Sequence, residues 1–400
     1  MNHKSPKFFA SCPQFLEPLL AKELKTLGIS EFFEEKGGME FKGSDEQALN
    51  FLLSTRIGSR VYKYLWGFSI QNEKEIYSNA REIDWNSILD PQQTFKITTL
   101  LDREANSFFN NSLFLSRLLK DSLVDNIRDK KGIRPSVDIK NPDLSFLMRI
   151  SKGRKKDFFQ VDILLDLCGE SLSNRHYRTG GHSAPLRENL AAALVIFSDF
   201  NPQSDVFIDS MCGTGTILIE AALIKGNISP CFFRIQNKNP FSFLNHNWFK
   251  KSGLGDFYQK KINATLDISR TGLENLSINQ FFGFEKDNQT LSITKRNLEN
   301  CRLSKIIKIE KGDATKISPP VPPPGIIICN PPYGERMGEE EEVANLMYEY
   351  GENLKTNFKG FRAYILTLAQ MRKRISLSSA QRIPLKNGNI ECQLVKYNLY

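Results

Sequence analysis

The chain has 400 residues, 40% of them hydrophobic and 25% charged, which excludes a disordered tail, a collagen-like fibre and a disulfide-stapled mini-protein. Its length accommodates two or three domains, each with a core of its own. The formal net charge of +9, from 54 basic and 45 acidic residues, makes a polyanion such as nucleic acid a plausible partner, although a solvated basic surface gives the same balance.

Residues 7–12 read as a strand. Residues 18–27 place apolar side chains at helical spacing, and Gly28 stops them. A short strand at 38–41 and a helix at 45–53 follow, so an α+β unit covers residues 1–60. A second α+β unit, residues 61–168, carries strand signals at 65–70, 95–100, 137–139, 145–151 and 158–164 and helical ones at 76–83 and 113–128. Between Arg128 and Lys156 ten basic residues meet three acidic ones. Such a stretch, with Arg134, Lys140, Arg149 and Arg154-Lys155-Lys156, suits sequence-independent contact with phosphates; an exposed loop kept soluble by lysines is the plainer reading.

Residues 171–187 form a polar, turn-prone connector, and an α/β pattern then runs to the end of the chain. A third unit is therefore drawn at 169–400, opening with a helix over 188–197. Val206-Phe207-Ile208-Asp209 reads as a buried strand ending in a carboxylate. Ser210-Met211-Cys212-Gly213-Thr214-Gly215-Thr216 and an apolar helix come next. Strand, glycine-rich turn and helix make the layout of a nucleotide-type cofactor site, although a tight turn with no ligand looks alike. Two further strand ends carry acids. Glu285, in Gly283-Phe284-Glu285-Lys286-Asp287, can accept the hydroxyls of a ribose. Asp313, in Gly312-Asp313-Ala314, can accept the amine of an adenine. Either alone reads equally well as a cap or turn residue; together at successive strand ends they point to one ligand edge. Residues 225–280 form a long connection, read as an insertion in which Phe241, Trp248 and Phe249 pack locally.

The most specific segment is Gly325-Ile326-Ile327-Ile328-Cys329-Asn330-Pro331-Pro332-Tyr333-Gly334. A buried strand runs into two prolines, which fix the backbone and hold the Asn330 side chain and a carbonyl in place. Tyr333 offers a ring on which a flat base can stack. The proline-rich residues 319–324 read as a stiff connector into this strand. Arg336 can meet an RNA backbone or pair with the acidic run at 339–342.

Seven scattered cysteines contain no Cys-x-x-Cys pair, and the four histidines lack ligand spacing, so no metal site is expected. Unpaired thiols fit a reducing compartment. No signal-peptide or membrane-spanning stretch is visible, and a cytoplasmic protein is expected.

Asp209-x-x-Cys212-Gly213-Thr214-Gly215-Thr216, Glu285, Asp313 and Asn330-Pro331-Pro332-Tyr333, in that order, resemble the class I S-adenosylmethionine-dependent N-methyltransferases. Residues 8–24, residues 184–191 and the closing segment 387–392 narrow the resemblance to the bacterial RlmL/YpsC-like 23S rRNA guanine-N2 methyltransferases. It spans nearly the whole chain. It implies an α/β fold: a Rossmann-like methyltransferase domain at 169–400, preceded by a ferredoxin-like domain at 1–60 and an RNA-binding THUMP domain at 61–168. It also implies that Pro185, Asp209, Cys212, Gly213, Gly215, Glu285, Asp313 and Asn330 hold S-adenosylmethionine, and that Asn330, Pro331, Pro332 and Tyr333 form the catalytic segment. The implied substrate is the exocyclic amine of a guanine in 23S rRNA. A transfer RNA substrate, or a non-catalytic RNA-binding assembly factor, is the alternative. Two departures stand out: Ser210 occupies a position where the family often has proline, and Glu-Lys-Asp replaces the commoner Asp-x-Asp at 285–287.

Overall fold

Strand β1 (Lys7–Ser11) buries Phe8, Phe9 and Ala10 in succession because both of its faces are covered. It lies antiparallel between β3 (Gly38–Lys42) and β4 (Arg60–Ile70). β2 (Phe32–Glu35) adds an edge beyond β3. It was not foreseen: Phe-Phe-Glu-Glu has no period-2 pattern, and pairing with β3 alone makes it a strand. The computed structural model describes residues 6–178, 186–333 and 339–400. Among them lie two seven-stranded sheets.

The first sheet passes through both N-terminal units. β4 pairs with β1 over residues 60–63 and with β7 (Phe159–Asp166) over residues 62–70. β6 (Leu144–Lys152) and β5 (Phe95–Leu101) complete the order β2–β3–β1–β4–β7–β6–β5. The line at 60/61 thus falls at the start of a strand that both units share. The second unit keeps a separate core, with Phe146 edge-on to Trp85 at 5.6 Å. The strand expected at 137–139 does not form; Val137 makes one isolated bridge to Phe95. The Asp138 carboxylate accepts the N–H groups of Lys140 and Asn141 at 2.8 and 3.0 Å, and this local turn competes with a ladder.

The second sheet comprises β8 (Val206–Asp209), β9 (Phe281–Glu285), β10 (Ile307–Lys311), β11 (Gly325–Cys329), β12 (Phe361–Thr367), β13 (Ser379–Asn387) and β14 (Ile390–Asn398). Its order is β10–β9–β8–β11–β12–β14–β13. The first five are parallel, and β14 runs antiparallel to both β12 and β13. β13 therefore points the same way as β12, and the β13–β14 turn lies at the edge where the parallel strands end.

Helices Glu188–Phe197 and Thr216–Lys225 are apolar almost all round and buried along nearly their whole length. Such helices need cover on more than one face, and here the N-terminal unit supplies it. One apolar core runs from Phe8 and Leu49 through Leu190 and Leu218 to Ile328. Polar bonds seal the join. Arg56 donates to the carbonyls of Leu223 and Ile228 at 3.2 and 2.7 Å. Arg175, fully buried, faces Glu220 at 3.4 Å and donates to the carbonyls of Arg56 and Leu172. Asn189 donates to the Ile57 carbonyl at 3.1 Å.

Two readings of the sequence need correction. The insertion does not pack only locally. Phe241, Phe243 and Phe249 do cluster, but Trp248 donates to Asp45 at 3.1 Å and lies 4.4 Å from the Lys63 ammonium. Asn247 reaches Asp90 at 3.1 Å, and Gln93 donates to the Asn245 carbonyl at 3.0 Å. The insertion therefore bridges to both N-terminal units. Nor is the basic stretch uniformly available. Arg149 is half-buried, paired with Glu35 and stacked 4.2 Å from the Phe9 ring; Arg128 pairs with Asp125 and Asp129. Arg154, Lys155 and Lys156 remain exposed.

Candidate active site

Parallel pairing aligns four strand ends. Asp209 is level with Gly283 on β9, β9 runs in register with β10, and β11 lies on the other side of β8. Neighbouring strands sit about 4.8 Å apart. Asp313, Glu285, Asp209 and Asn330 therefore follow one another along one edge, in sheet order rather than chain order.

The glycine turn is built for close approach. Gly213 and Gly215 have φ of 51° and 82°. A side chain at Gly213 would meet nothing within 4 Å, whereas one at Gly215 would come within 2.9 Å of Thr294. Gly213 thus faces open space, and Gly215 lets the turn close on the helix Asn288–Asn300. That helix holds the turn from below: Thr294 donates to the Gly213 carbonyl, and Asn297 to the Thr214 carbonyl at 3.0 Å.

The acids differ in environment. Asp209 is buried; one carboxylate oxygen accepts the Met211 N–H at 3.2 Å, and Oδ2 has no partner among the described residues. Burial pushes its carboxyl up to about 8, with the Glu285 charge adding to the effect and the Met211 N–H opposing it. Glu285 accepts the Gly213 N–H at 3.0 Å and the Asp287 N–H at 2.8 Å, one on each oxygen. Each oxygen keeps a second lone pair for a ligand. Asp287 caps its helix by accepting the Thr290 N–H, so Glu285 is the acid of that segment that turns to the glycine loop. Asp313 is held below the usual carboxylate range: partial burial works against this, but the Thr315 N–H and hydroxyl and the Lys286 ammonium outweigh it. Cys212 serves by packing; its sulfur would lie 3.2 Å from a side chain at Gly283, and its N–H goes to the Phe284 carbonyl at 2.9 Å.

In the Asn-Pro-Pro-Tyr segment Asn330 and Tyr333 are half-buried, Pro331 is buried and Pro332 is exposed. The Tyr333 hydroxyl donates to Asn330 Oδ1 at 2.6 Å, and Asn387, at the end of β13, reaches that hydroxyl at 3.4 Å. The oxygen expected to grip a base therefore already holds one hydrogen bond. A carbonyl oxygen accepts two, so one acceptor site remains.

Pro185 and Arg336 lie outside the described residues. Two site residues, Tyr350 and Asn353, carried no sequence signal. The Tyr350 hydroxyl bonds Ser210 at 2.5 Å and the Cys329 thiol at 3.5 Å, tying the ends of β8 and β11 together; the serine that departs from the family pattern is one of its partners. Asn353 donates to the carbonyls of Ala314 and Ile317 at 2.8 and 3.0 Å and fixes the Asp313 loop. Asn387 was legible only as part of a family-like closing segment.

Residues 175–396 match the RMKL-like methyltransferase domain, residues 71–154 the THUMP domain and residues 7–62 the RlmL ferredoxin-like domain. The chain belongs to the RMKL-like methyltransferase family. Ribosomal RNA large subunit methyltransferase K/L of Syntrophotalea carbinolica is 31% identical over 98% of the chain and 53% of that protein. The protein of the same name in Allochromatium vinosum is 34% identical over 98% of the chain and 51% of its own length. The chain thus spans about half the length of these curated relatives. Among solved structures, SMU.472, described as a putative methyltransferase complexed with SAH, superposes with a TM-score of 0.80 at 25% identity and covers 99% of both chains. A Listeria monocytogenes protein described as a predicted N6-adenine-specific DNA methylase gives 0.81 at 24% identity over 99% and 97%, and shares the fold. This RMKL-like domain has no helix long and apolar enough to cross a membrane among its described residues, nor has the rest of the chain, and no group of three potential metal ligands occurs among them.

Proposed function

We propose that the chain is an S-adenosylmethionine-dependent RNA methyltransferase that acts on the exocyclic N2 amine of a guanine in 23S rRNA. The observation that carries this reading is the alignment of Asp313, Glu285, Asp209 and Asn330 along one sheet edge in a chain with a methyltransferase and a THUMP family match.

The residues suit the cofactor. The unpartnered Asp209 Oδ2, the open space over Gly213 and the acids at two further strand ends favour a ligand that is cationic and rich in hydrogen-bond donors. Glu285 would accept the ribose hydroxyls, Asp313 the adenine amine, and Asp209 would answer the positive charge. When bound, S-adenosylmethionine supplies a methyl group activated by its sulfonium.

The chain's own contribution at the target is positional. The guanine amine is a weak nucleophile because its lone pair is delocalised into the ring. Asn330 Oδ1 and the Pro331 carbonyl would each accept one of its N–H bonds and turn the remaining lone pair toward the donor. Prolines at 331 and 332 keep these acceptors from relaxing. Such pre-set acceptors typically contribute a hundredfold or more to turnover, about 3 kcal/mol. No strong base is required: the proton left on nitrogen is acidic and passes to solvent. Exposed Arg154, Lys155 and Lys156 would hold RNA phosphates. The seven cysteines, all unpaired and buried, suit work in the cytoplasm.

The test is direct. Purified chain is incubated with labelled S-adenosylmethionine and either protein-free 23S rRNA or bulk tRNA, and the digested nucleosides are resolved by mass spectrometry. N2-methylguanosine arising from 23S rRNA is expected. Label in tRNA alone, or on adenine, would overturn the substrate; failure to bind the cofactor would favour a scaffold.

A further inference from the structure

β8 pairs with β11 only as far as Ile208 and Ile327. Past that point each strand keeps its other neighbour. Asp209 is level with Gly283 on β9, while Ile328 and Cys329 are level with Tyr364 and Ile365 on β12. The sheet order also turns here: β9 and β10 lie on one side of β8, β11 and β12 on the other. Open α/β sheets take their ligands at such a switch point. Asp209 stands on one side of the gap, and Asn330, next after Cys329, continues from the other.

The Tyr350 hydroxyl spans this gap. It bonds the Ser210 hydroxyl at 2.5 Å and accepts the Cys329 thiol at 3.5 Å. Ser210 follows Asp209 and Cys329 precedes Asn330. The tie therefore acts one residue away from each of the two side chains that must work together. Tyr350 is itself held in place. It is buried with Val343, Met347 and Leu354 along the inner stripe of helix Glu339–Asn357. A side chain at the neighbouring Gly351 would come within 3.1 Å of Ile375 and of the Ser376 backbone, so the helix lies close against the segment after β12. A packed helix thus presents one hydroxyl to the place where the ladder stops.

We infer that Tyr350 is a positioning residue for methyl transfer: by bonding Ser210 and Cys329 it sets the distance between the donor held beside β8 and the amine held at the end of β11. This deepens the proposed function and rests on it. Displacement at the sulfonium methyl needs the attacking nitrogen in line and about 3–3.5 Å from the carbon. Asp209 and Asn330 cannot fix that distance by strand pairing, because the ladder between their strands has already ended. A misplacement of about 1 Å typically costs on the order of a hundredfold in rate. Tyr350 acts through its neighbours, so its loss falls on the transfer step rather than on the binding of either ligand.

Tyr350→Phe keeps the ring in the core and removes the tie. Its single-turnover rate of methyl transfer, at saturating S-adenosylmethionine and RNA, should fall about tenfold or more, with both dissociation constants within about threefold of wild type. The change also leaves the Ser210 hydroxyl buried without this partner, which lowers the unfolding temperature. Ser210→Ala/Tyr350→Phe removes both ends of the bond. It should recover most of the unfolding temperature and still transfer methyl groups as slowly as Tyr350→Phe. Recovery of the rate together with stability would make the tie merely structural and overturn the inference. So would a wild-type rate in Tyr350→Phe, or a loss of cofactor affinity as large as the loss of rate. The rate is read on whichever RNA the wild-type chain methylates. A wild-type chain that methylates none would defeat the proposed function and this inference with it; an active wild type matched by Tyr350→Phe would defeat this inference alone.

Discussion

The join between the halves and the edge where the parallel strands end both bury charge, but in opposite ways. At the join opposite charges meet: Arg175 faces Glu220 and two backbone carbonyls, and Arg56 has two carbonyls, although Arg56 Nη1 and Glu220 Oε2 keep no hydrogen-bond partner among the described residues. At the strand edge carboxylates of one sign gather, and Asp209 Oδ2 has no partner among the described residues. At the join a cation and a carboxylate face each other inside the chain. A cluster of acids in which, among the described residues, only Asp313 has a cation beside it, Lys286, marks a place completed by something else, and its composition indicates the chemistry of that partner.

Breaking the join should have the largest effect on stability. Arg175→Met leaves Glu220 buried and unpaired, which typically costs about 3–5 kcal/mol. Denaturant unfolding should show this loss in full. If the variant were as stable as the parent, the pair would not be part of the construction.

Asp209 sharpens the other side. Its carboxyl is raised to about 8 in the folded chain, against about 4 when unfolded. Between those values the folded state holds the proton and the unfolded state does not, so stability falls as pH rises through the window. Asp209→Asn should remove that slope, matching wild type near pH 4 and exceeding it near pH 8 in thermal unfolding, while weakening cofactor binding. A variant destabilised at both pH values would show that the acid is structural.

Asp313→Ala should act on binding more than on stability, although it also frees the Thr315 N–H and hydroxyl and the Lys286 ammonium. Loss of a charged acceptor typically costs about 1.5–3 kcal/mol, so S-adenosylmethionine affinity should drop at least tenfold, with a smaller accompanying fall in unfolding temperature. Calorimetric titration decides this. The smallest effect is expected at the exposed surface. Replacing Lys155 and Lys156 with glutamine should lower RNA affinity modestly and reduce its salt slope by roughly one to two; an unchanged slope would remove them from the interface.

The same contrast explains what the sequence disclosed. The strand ends were legible because each is a local pattern: an apolar run, then Asp209, Glu285, Asp313 or Asn330. Helix Glu188–Phe197 and strand Val206–Asp209 fall where the apolar pattern places them. The join was not legible, because it is made of contacts between distant residues. Arg149 looked like one more surface cation, yet Glu35 and Phe9, more than a hundred positions away, hold it. Trp248 looked local for the same reason. Two helices apolar on all faces were the available hint that a further surface covered them, and β2 had no pattern beyond its partner. Tyr350 and Asn353 had no local pattern either, because their roles lie in distant partners: Ser210 and Cys329 for one, the Ala314 and Ile317 carbonyls for the other.

The most direct measurement is methyl transfer to protein-free 23S rRNA by Asn330→Ala, paired with calorimetric titration of S-adenosylmethionine into the same variant. Turnover should fall at least about a hundredfold, while the dissociation constant stays within a few fold of wild type. Wild-type turnover, or loss of cofactor binding as severe as the loss of turnover, would contradict the placing of Asn330 at the substrate amine.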